Sequence, residues 1–378
     1  METPARGIEA SSAGEEMGMN HLRVLFWETT AACNLRCRHC RRGEARATAA
    51  PGELTTGEAV EFIRGVASWC KPLLVMSGGE PFTRGDIVEL AACASECGLP
   101  VAVATNGTIS DSGVAAALKK AGVRRVSVSV DGVSAVTHDR IRGVAGAFEG
   151  AVRGLRTLRG AGLSTQVNMT VCRGNRSEIA GMFRLAACEG ADAVHLFVLV
   201  PVGCGLDLAK DEALSPAEGR ELFEWFHAHA GSFGLEARLT CAPQYVRYES
   251  SRGPAALPHQ SSRGDVRPPY KNNGYIIGEP SGGSAAGSGC LCGRSVCFVS
   301  HGGEVYPCGY LPVSAGNVRA AGLRAIWDES ALFRELRDPG KLGAPCGVCR
   351  FRDACGGCRA RAYAATGDYL AGDITCGV

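Results

Sequence analysis

Along the first half of the chain, apolar residues occur in short continuous runs. Between these runs, the apolar residues have the spacing of a helix. The runs predict six strands: Leu22–Thr29, Pro72–Ser77, Leu99–Thr105, Arg124–Val130, Ser164–Val171 and Ala193–Val200. Strands that are apolar on both faces are typical of a parallel sheet covered by helices. The pattern therefore favours an α/β fold built on a parallel sheet.

The segments between the strands have the periodicity of amphipathic helices. The predicted helices are Thr56–Cys70, Asp86–Cys97, Ser112–Ala121, Gly146–Gly160, Arg176–Cys188 and, after the last strand, Glu218–Ser232. Six strand–helix units predict a partial (β/α)6 barrel, which together with the following helix occupies residues 21–240. Such folds place their chemistry at the carboxyl ends of the strands.

The pattern changes on both sides of this region. Residues 1–20 are small and polar, and we expect a disordered tail there. Residues 241–289 become rich in Ser, Gly, Pro and Arg, which predicts a flexible linker or, alternatively, a lid that orders over a bound substrate. Residues 290–378 predict a turn-rich, cysteine-rich domain. Its predicted elements are a hairpin of Phe298–Ser300 with Glu304–Tyr306 and a helix over Gly322–Leu336.

Composition narrows the class of protein. Hydrophobic residues make up 46% of the 378 positions, and the net charge of +2 gives no reason to expect nucleic acid as a partner. No apolar run reaches the length of about 18 residues that a membrane span needs, and residues 1–20 lack the pattern of a secretory signal. We therefore expect a cytoplasmic location, where 19 cysteines indicate metal or redox chemistry. Five cysteines among apolar residues are expected in the core: Cys70, Cys93, Cys97, Cys172 and Cys188.

Three cysteines follow the first predicted strand with the spacing C-x3-C-x2-C: Cys33, Cys37 and Cys40. Three neighbouring thiolates can hold three irons of a [4Fe–4S] cluster, and the fourth iron then needs a ligand from outside the protein. A zinc site is the alternative, with His39 as the nearby fourth ligand. A disulfide would pair two of these cysteines and leave the third without a partner.

The second predicted strand ends in Gly78-Gly79-Glu80-Pro81. Glycine allows a ligand to approach the backbone closely, and backbone groups with a carboxylate can hold the ammonium group of an amino acid. The alternative is that the glycines only turn the chain. The cysteine triplet on the preceding strand favours a ligand-binding role.

In these two motifs the sequence resembles the radical S-adenosylmethionine (SAM) superfamily over roughly 22–202. The resemblance implies that the open iron binds SAM and that residues 78–81 support its amino group. It also points to strand-end residues near SAM, namely Asn106, Ser129 and Asn168, and to the stretch Ser127–Asp131. One electron, from a donor such as a ferredoxin or flavodoxin, would then split SAM into methionine and a 5′-deoxyadenosyl radical.

A second group of cysteines lies near the C-terminus. Cys346, Cys349, Cys355 and Cys376 supply four thiolates, a full set for a closed cluster, with a zinc ribbon as the alternative. A looser upstream set consists of Cys290, Cys292, Cys297 and Cys308. Together with Cys358 it is predicted to hold another cluster, with Cys290, Cys297, Cys308 and Cys358 as the ligands. The pattern resembles the SPASM domain, which carries auxiliary iron–sulfur clusters. This chain departs from that pattern at two places. Two residues separate Cys355 from Cys358, where the pattern has three between its cysteines, and Cys292 stands where the pattern has a small residue.

The segments Gly289–Gly293, Gly303–Val313 and Cys355–Tyr369 are similar to the haem-biosynthesis branch of these proteins. This similarity implies a tetrapyrrole substrate, Fe-coproporphyrin III, two of whose propionates lose CO2 and become vinyl groups. Carboxylates of that kind are expected to bind arginines. The candidates are Arg41, Arg42, Arg140, Arg142, Arg359 and Arg361.

Three other functions remain open from the sequence. One is an enzyme of the same branch that acts on a siroheme derivative, and another is a peptide-modifying SPASM enzyme. The third is a non-enzymatic iron–sulfur scaffold or electron carrier, which would not need the Gly-Gly-Glu-Pro segment. Two parts of a SAM site in order on adjacent strands favour an enzyme.

Overall fold

The structure is a computed structural model that describes residues 21–43, 47–252 and 289–376. The predicted tail, 1–20, lies outside these described residues, as do positions 253–288 of the predicted linker or lid. Residues 244–252 of that predicted linker form a helix.

The first seven strands lie parallel to one another in one sheet and follow one another in chain order. They are β1 (Val24–Glu28), β2 (Leu73–Ser77), β3 (Val101–Thr105), β4 (Arg125–Ser129), β5 (Ser164–Val171), β6 (Ala193–Val198) and β7 (Glu236–Thr240). The predicted α/β class and the six predicted strands are confirmed. The seventh strand was not predicted, because its sequence Glu-Ala-Arg-Leu-Thr mixes polar and apolar residues instead of forming an apolar run.

The C-terminal region, 289–376, continues the same sheet. Its strands are β8 (Val296–Val299), β9 (Glu304–Tyr306) and β10 (Gly316–Asn317). Strand β8 pairs in parallel with β1, with Val24 opposite Val296, and β9 and β10 extend the edge in antiparallel fashion. The strand order is therefore β10-β9-β8-β1-β2-β3-β4-β5-β6-β7. The predicted hairpin is present, and it adds to the barrel sheet instead of standing apart.

Twelve α-helices cover the sheet and connect its strands within the described residues. They are α1 (Thr56–Trp69), α2 (Ile87–Glu96), α3 (Ser112–Lys120), α4 (Ala135–Arg142), α5 (Ala147–Gly160), α6 (Ile179–Cys188), α7 (Gly205–Glu212), α8 (Pro216–His229), α9 (Gln244–Arg252), α10 (Leu323–Glu329), α11 (Ala331–Arg337) and α12 (Arg359–Thr366). The helix predicted over 322–336 is two helices, since Ser330 takes an extended conformation between them. None of the helices in the described part of the chain has the length and apolar character that crossing a membrane requires.

The two faces of the sheet differ in polarity. Val128 and Val167 pair in register and are at most 1% exposed, so they lie in the core between the sheet and the helices. The next residues along, Ser129, Asn168 and His195, pair in register on the opposite, inner face. Side chains alternate between the faces of a strand, so the inner face carries the polar residues available for a ligand.

Burial of the cysteines follows the prediction only in part. Cys70 and Cys172 are buried, as predicted. Cys93 and Cys97 are only partly covered, and Cys188, at the end of α6, is exposed. The prediction of Cys188 as a core residue is therefore wrong.

Helix α5 packs directly against the loop after β3. A Cβ placed on Gly154 would lie 2.0 Å from the carbonyl oxygen of Gly107, far inside van der Waals contact. Gly107 itself has a φ of +80°, a conformation that side chains other than glycine rarely adopt. This contact positions the loop that carries Asn106.

Replacement of Gly154 by alanine is expected to destabilise the fold, because the new methyl group must push α5 away from β3. Overpacking of this kind costs about 1–3 kcal/mol. The midpoint of thermal unfolding measures the change.

The matched control is Gly65→Ala in α1, where no heavy atom lies within 4 Å of the added Cβ. Helix propensity predicts that this variant is stabilised by up to about 1 kcal/mol. Equal effects of the two substitutions would contradict the predicted contact.

Candidate functional site

The loop after β1, residues 29–43, carries the cysteine triplet, and we call it the cysteine loop. The end of α4 holds its backbone: the N–H groups of Arg36 and Arg38 donate to the carbonyl groups of Arg142 and Ile141, at 3.1 and 2.9 Å. The cysteine sulfurs also accept hydrogen bonds. The Leu35 N–H lies 3.4 Å from Cys33 Sγ, and Nη1 of Arg142 lies 3.7 Å from Cys37 Sγ. The loop therefore directs donors at sulfurs, as thiolate ligands of a cluster require.

The glycines after β2 pack against the cysteine loop. The Gly79 N–H donates to the Thr30 carbonyl at 2.8 Å, and the Glu80 N–H donates to the Ala32 carbonyl at 2.7 Å. A Cβ on Gly79 would lie 2.2 Å from the Ala32 carbonyl oxygen, and one on Gly78 would lie 2.8 Å from that of Thr30. Both glycines are therefore needed for this backbone contact, which places the end of β2 beside the residue before Cys33.

The carboxylate of Glu80 is fully buried and bonded to protein. It accepts hydrogen bonds from Thr105 Oγ1 at 2.8 Å, from the Asn106 N–H at 2.7 Å and from the Phe82 N–H at 3.2 Å. Burial raises the pKa of Glu80 to about 7, against these hydrogen bonds, which lower it. Glu80 thus ties the end of β2 to the end of β3, and Pro81 is buried beside it.

The remaining predicted SAM contacts lie at strand ends of the same region. Asn106 Nδ2 donates to Asn34 Oδ1 at 2.8 Å, so Asn106 touches the cysteine loop between its first two cysteines. Ser129 and Asn168 are neighbours on the inner face of β4 and β5, and Asn168 Oδ1 accepts from Gln166 Nε2 at 2.6 Å. The structure places all three on the expected side of the sheet, and their roles stay predictions.

Asp131, two residues after β4, holds two basic side chains of this region, those of Arg142 and His39. It is fully buried, with Arg142 Nε at 2.8 Å and His39 Nε2 at 3.2 Å from its Oδ2 atom. Although burial raises the pKa of Asp131, Arg142 and His39 oppose this and hold it well below its usual range. His39, the fourth ligand in the zinc alternative, is thus already bound by a carboxylate.

Glu28, at the end of β1, joins the cysteine loop to the C-terminal region. Arg41 Nη2 lies 2.8 Å from Glu28 Oε1, and Arg42 Nε lies 4.0 Å from it. His301, in the turn between β8 and β9, lies 2.5 Å from Glu28 Oε2 through Nδ1. Burial raises the pKa of Glu28, but Arg41 and His301 outweigh this and lower it to about 2. The guanidinium of Arg41 also stacks 4.1 Å from the ring centre of Phe298.

Each of the six arginines predicted to bind substrate carboxylates has partners within the protein. Arg41 and Arg42 face Glu28, and Arg142 pairs with Asp131, as described above. Arg140 Nη1 lies 3.1 Å from Glu212 Oε1. Arg359 Nη1 donates to the Ala371 carbonyl at 2.8 Å, and Arg361 Nη1 donates to the Cys241 carbonyl at 2.7 Å. Arg361 also lines the larger cavity described below, and the role of all six arginines in binding a substrate stays a prediction.

The four C-terminal cysteines predicted as one set surround a single cavity of about 320 Å³. They are Cys346, Cys349, Cys355 and Cys376. Hydrogen-bond donors point at three of their sulfurs. Arg247 Nη1 is 3.4 Å from Cys376 Sγ. The Asp373 nitrogen is 3.4 Å from Cys346 Sγ, and the Phe351 nitrogen is 3.4 Å from Cys349 Sγ. A thiol-lined cavity with N–H donors fits an iron–sulfur cluster.

A second set of cysteines gathers beside that cavity. Cys292 makes thiol hydrogen bonds with Cys290 and Cys308. Cys358 interacts with Cys290 and Cys241. Cys241, which follows β7, was missed because it lies far along the chain from the other cysteines and outside any short motif.

Cys297 does not belong to either set. It pairs in register with Leu25 of β1, and its side chain is fully buried in the core between the sheet and the helices, near Cys70. Its prediction as a cluster ligand therefore does not fit the structure. Cys292, unlike Cys297, packs in the same cluster as Cys290, Cys308 and Cys358.

A larger cavity, of about 530 Å³, opens beside the small one. It lies between the end of β6, helices α7 to α9 and the C-terminal region. Its described lining contains five basic residues and no aspartate or glutamate: Lys210, Arg220, Arg247, Arg350 and Arg361. Apolar and aromatic side chains such as Phe223 and Phe351 form the rest of the wall, and Cys376 and Arg247 border both cavities. No sequence motif marks this cavity.

The two halves of the molecule meet at Tyr310. Its half-buried side chain packs in the cluster with Cys241 and Cys308, and the charges of Arg41 and Asp131 lie close enough to affect its hydroxyl. Burial, followed by the nearby Cys241, raises the pKa of Tyr310 well above its usual range.

Within the described residues, no three His, Cys, Asp or Glu side chains meet in an arrangement that holds a single metal ion.

Known proteins resemble this chain over nearly its whole length. Residues 27–186 match the family model of the radical SAM superfamily, and residues 290–358 match that of the SPASM iron–sulfur cluster-binding domain. The AdoMet-dependent heme synthase of Methanosarcina barkeri is 44% identical over 94% of this chain and 97% of its own. That of Nitratidesulfovibrio vulgaris is 38% identical over 96% and 94%.

Two further proteins resemble this chain at lower sequence identity. The Fe-coproporphyrin III synthase of Methanosarcina barkeri is 30% identical over 93% of this chain and 87% of its own. Among solved structures, Streptococcus suis SuiB bound to its precursor peptide SuiA superposes with a TM-score of 0.71 at 14% identity, covering 95% of this chain and 76% of that one. At that identity the likeness shows the fold alone.

Replacement of Glu28 by glutamine is expected to destabilise the protein near neutral pH by up to about 3 kcal/mol, the equivalent of its lowered pKa. Because folding lowers the pKa of Glu28, its carboxylate stabilises the wild-type protein at pH values above the ordinary pKa of 4.5. This contribution to the free energy of unfolding is lost as the pH falls towards about 2. Urea unfolding of the metal-free chain at several pH values measures it, with the exposed Glu61→Gln as control. A difference between variant and wild type that does not shrink in acid would contradict the prediction.

Replacement of Asp131 by asparagine is expected to weaken iron binding at the cysteine loop, because Arg142 and His39 lose the charge that holds them there. The iron content of the anaerobically reconstituted protein should fall by about one four-iron cluster, while the C-terminal clusters remain. Glu212→Gln, which removes the partner of Arg140 instead, is the matched control. An unchanged iron content in Asp131→Asn would refute a positioning role.

Proposed function

The chain belongs to the radical SAM superfamily, in its haem-biosynthesis branch with a C-terminal SPASM domain, and from this we propose that it converts Fe-coproporphyrin III to haem b by oxidative decarboxylation of two propionates. Haem synthesis by a radical SAM enzyme is supported by relatives at 38–44% identity. Fe-coproporphyrin III as the substrate is the finer step of the proposal.

The difference between two relatives from one organism favours the haem-forming step. The chain is 44% identical to the AdoMet-dependent heme synthase of Methanosarcina barkeri and 30% identical to the Fe-coproporphyrin III synthase of the same organism. A chain with the second activity is expected to show the opposite order. An enzyme acting on a siroheme derivative is therefore the weaker candidate.

The cysteine loop is the proposed seat of the SAM-binding cluster, through Cys33, Cys37 and Cys40. Donors to the Cys33 and Cys37 sulfurs and the tight contact of Gly79 with Ala32 support this assignment. The proposed contacts of SAM are the strand-end residues Gly78, Gly79, Glu80, Pro81, Asn106, Ser129 and Asn168. Because the Glu80 carboxylate is committed to Thr105 and Asn106, its part in binding is to hold the strand ends in place.

The second proposed cluster site is the small cavity with Cys346, Cys349, Cys355 and Cys376. When bound, these cofactors supply the radical that removes a hydrogen atom from a propionate and the acceptor for the electron left over. The substrate balance is –CH2–CH2–COO⁻ going to –CH=CH2 and CO2, with loss of one hydrogen atom and one electron at each of two side chains. A reducing partner such as a ferredoxin or flavodoxin completes the proposal.

The large cavity is the observation that carries the choice of substrate. Coproporphyrin combines a broad apolar ring with four carboxylates. The basic lining supplies positive charge for carboxylates, with Arg361 held against the Cys241 carbonyl, and the aromatic and apolar wall suits the ring. The cavity shares Arg247, Phe351 and Cys376 with the small cavity, so a substrate there lies next to the proposed electron acceptor.

The direct test incubates anaerobically reconstituted enzyme with SAM, dithionite and Fe-coproporphyrin III. The expected products, identified by mass spectrometry, are haem b and two CO2 for each substrate molecule. A variant with alanine at Cys33, Cys37 and Cys40 should give neither product. Turnover of a siroheme derivative in place of Fe-coproporphyrin III would overturn the assignment.

Replacement of Arg350 by alanine is expected to raise the KM for Fe-coproporphyrin III about tenfold, which corresponds to one charge-assisted hydrogen bond. Arg350 borders both cavities, so the iron content of the variant is measured too and is expected to equal that of the wild type, with little change in the turnover number. Arg324→Ala, on the exposed face of α10, is the matched control. An unchanged KM in both variants would place the substrate outside the large cavity.

A further inference from the structure

Five cysteines meet at the second auxiliary site, one more than a [4Fe–4S] cluster uses. They are Cys241, Cys290, Cys292, Cys308 and Cys358. Cys241 lies outside residues 290–358, which match the SPASM domain, and comes from the barrel. We propose that Cys241 is the fourth ligand of the cluster held by Cys290, Cys308 and Cys358, and that Cys292 is not a ligand.

The backbone at Cys241 is held in an unusual conformation. Its φ is +58°, and no other residue except glycine has a positive φ among the described residues. Side chains other than glycine rarely adopt such values, and those that do are concentrated at functional sites. The strain persists because both terminal nitrogens of the Arg361 guanidinium donate to the Cys241 carbonyl oxygen.

The same helix that holds Cys241 also holds the other ligands. Helix α12 begins directly after Cys358, and Arg361 is buried within it. The backbone N–H groups of Arg359 and Arg361 lie close to the sulfurs of Cys290 and Cys358, respectively. One helical turn therefore positions three of the cysteines together, through two backbone donors and one side chain.

Cys241 and Cys292 differ in how the protein holds them. Cys241 packs in one cluster with Cys290, Cys308 and Cys358, and among the described cysteines only Cys241 is held there in a strained backbone conformation. Cys292 lies in the same cluster and is 5% exposed, with Cys290 and Cys308 as its thiol neighbours. Its thiol can therefore donate hydrogen bonds to the sulfurs of two ligands.

The helix after Cys241, α9, connects this site to the neighbouring one. Gln244, at the start of α9, donates from Nε2 to Asp373 Oδ2 at 2.6 Å. The same oxygen accepts the Cys358 N–H at 2.7 Å, and the Asp373 N–H lies 3.4 Å from Cys346 Sγ. Ligation by Cys241 would therefore attach the barrel, through β7, to both auxiliary clusters.

The test uses a parent protein with alanine at Cys33, Cys37 and Cys40, so that only auxiliary sites bind iron. Cys241→Gly is added to this parent, because glycine removes the thiol and accepts the positive φ without strain. We expect either a loss of up to four irons per chain or an altered electron paramagnetic resonance spectrum of the dithionite-reduced protein. Far-ultraviolet circular dichroism should show an unchanged fold.

Two further variants of the same parent sharpen the outcome. Cys188→Ala, at an exposed cysteine on α6, controls for the loss of a thiol and should change neither iron nor spectrum. Cys292→Ala should retain the iron of the parent. Iron loss in Cys292→Ala with an unchanged Cys241→Gly protein would overturn the proposal, as would parent-like iron and spectra in both. None of these readouts involves a tetrapyrrole, so the result is independent of the proposed substrate.

Discussion

The buried negative charge of Glu28 lies where β1, the cysteine loop and the C-terminal region meet. A buried carboxylate is strongly unfavourable unless cations and donors compensate for it. Arg41 comes from the cysteine loop and His301 comes from the turn between β8 and β9. One charge therefore requires two distant segments to lie together, and both groups of candidate cluster ligands take their positions from that meeting point.

Asp131 applies the same constraint on the other side of the cysteine loop. It pairs with Arg142 and His39, and Arg142 in turn directs a nitrogen at the Cys37 sulfur. The charged residues around the loop thus serve to position the cysteines. The proposed place for substrate recognition is the large cavity, where the described lining has basic residues without acidic ones.

The sequence was informative where the signal is local. Continuous apolar runs identified the six strands, and a spacing within eight positions identified the cysteine triplet. The sequence was not informative where a property depends on how distant segments pack in the folded protein. The face to which Cys297 points follows from the register of β8 against β1, and Cys241 approaches Cys358 only after the chain has folded. The polar strand Glu236–Thr240 is held by its neighbour β6 and by its position, and its own composition favours no strand.

The parallel pairing of β1 with β8 has a consequence for the synthesis of the protein on the ribosome. Val24 and Val296 are partners, yet almost three quarters of the chain is synthesised between them. Until β8 emerges, one edge of β1 exposes unpaired backbone groups, and such edges invite association with other chains. Contacts between residues so far apart in sequence also form slowly. The nascent barrel is therefore vulnerable to aggregation for most of its synthesis, and closing the sheet requires the arrival of the domain that carries the auxiliary cysteines.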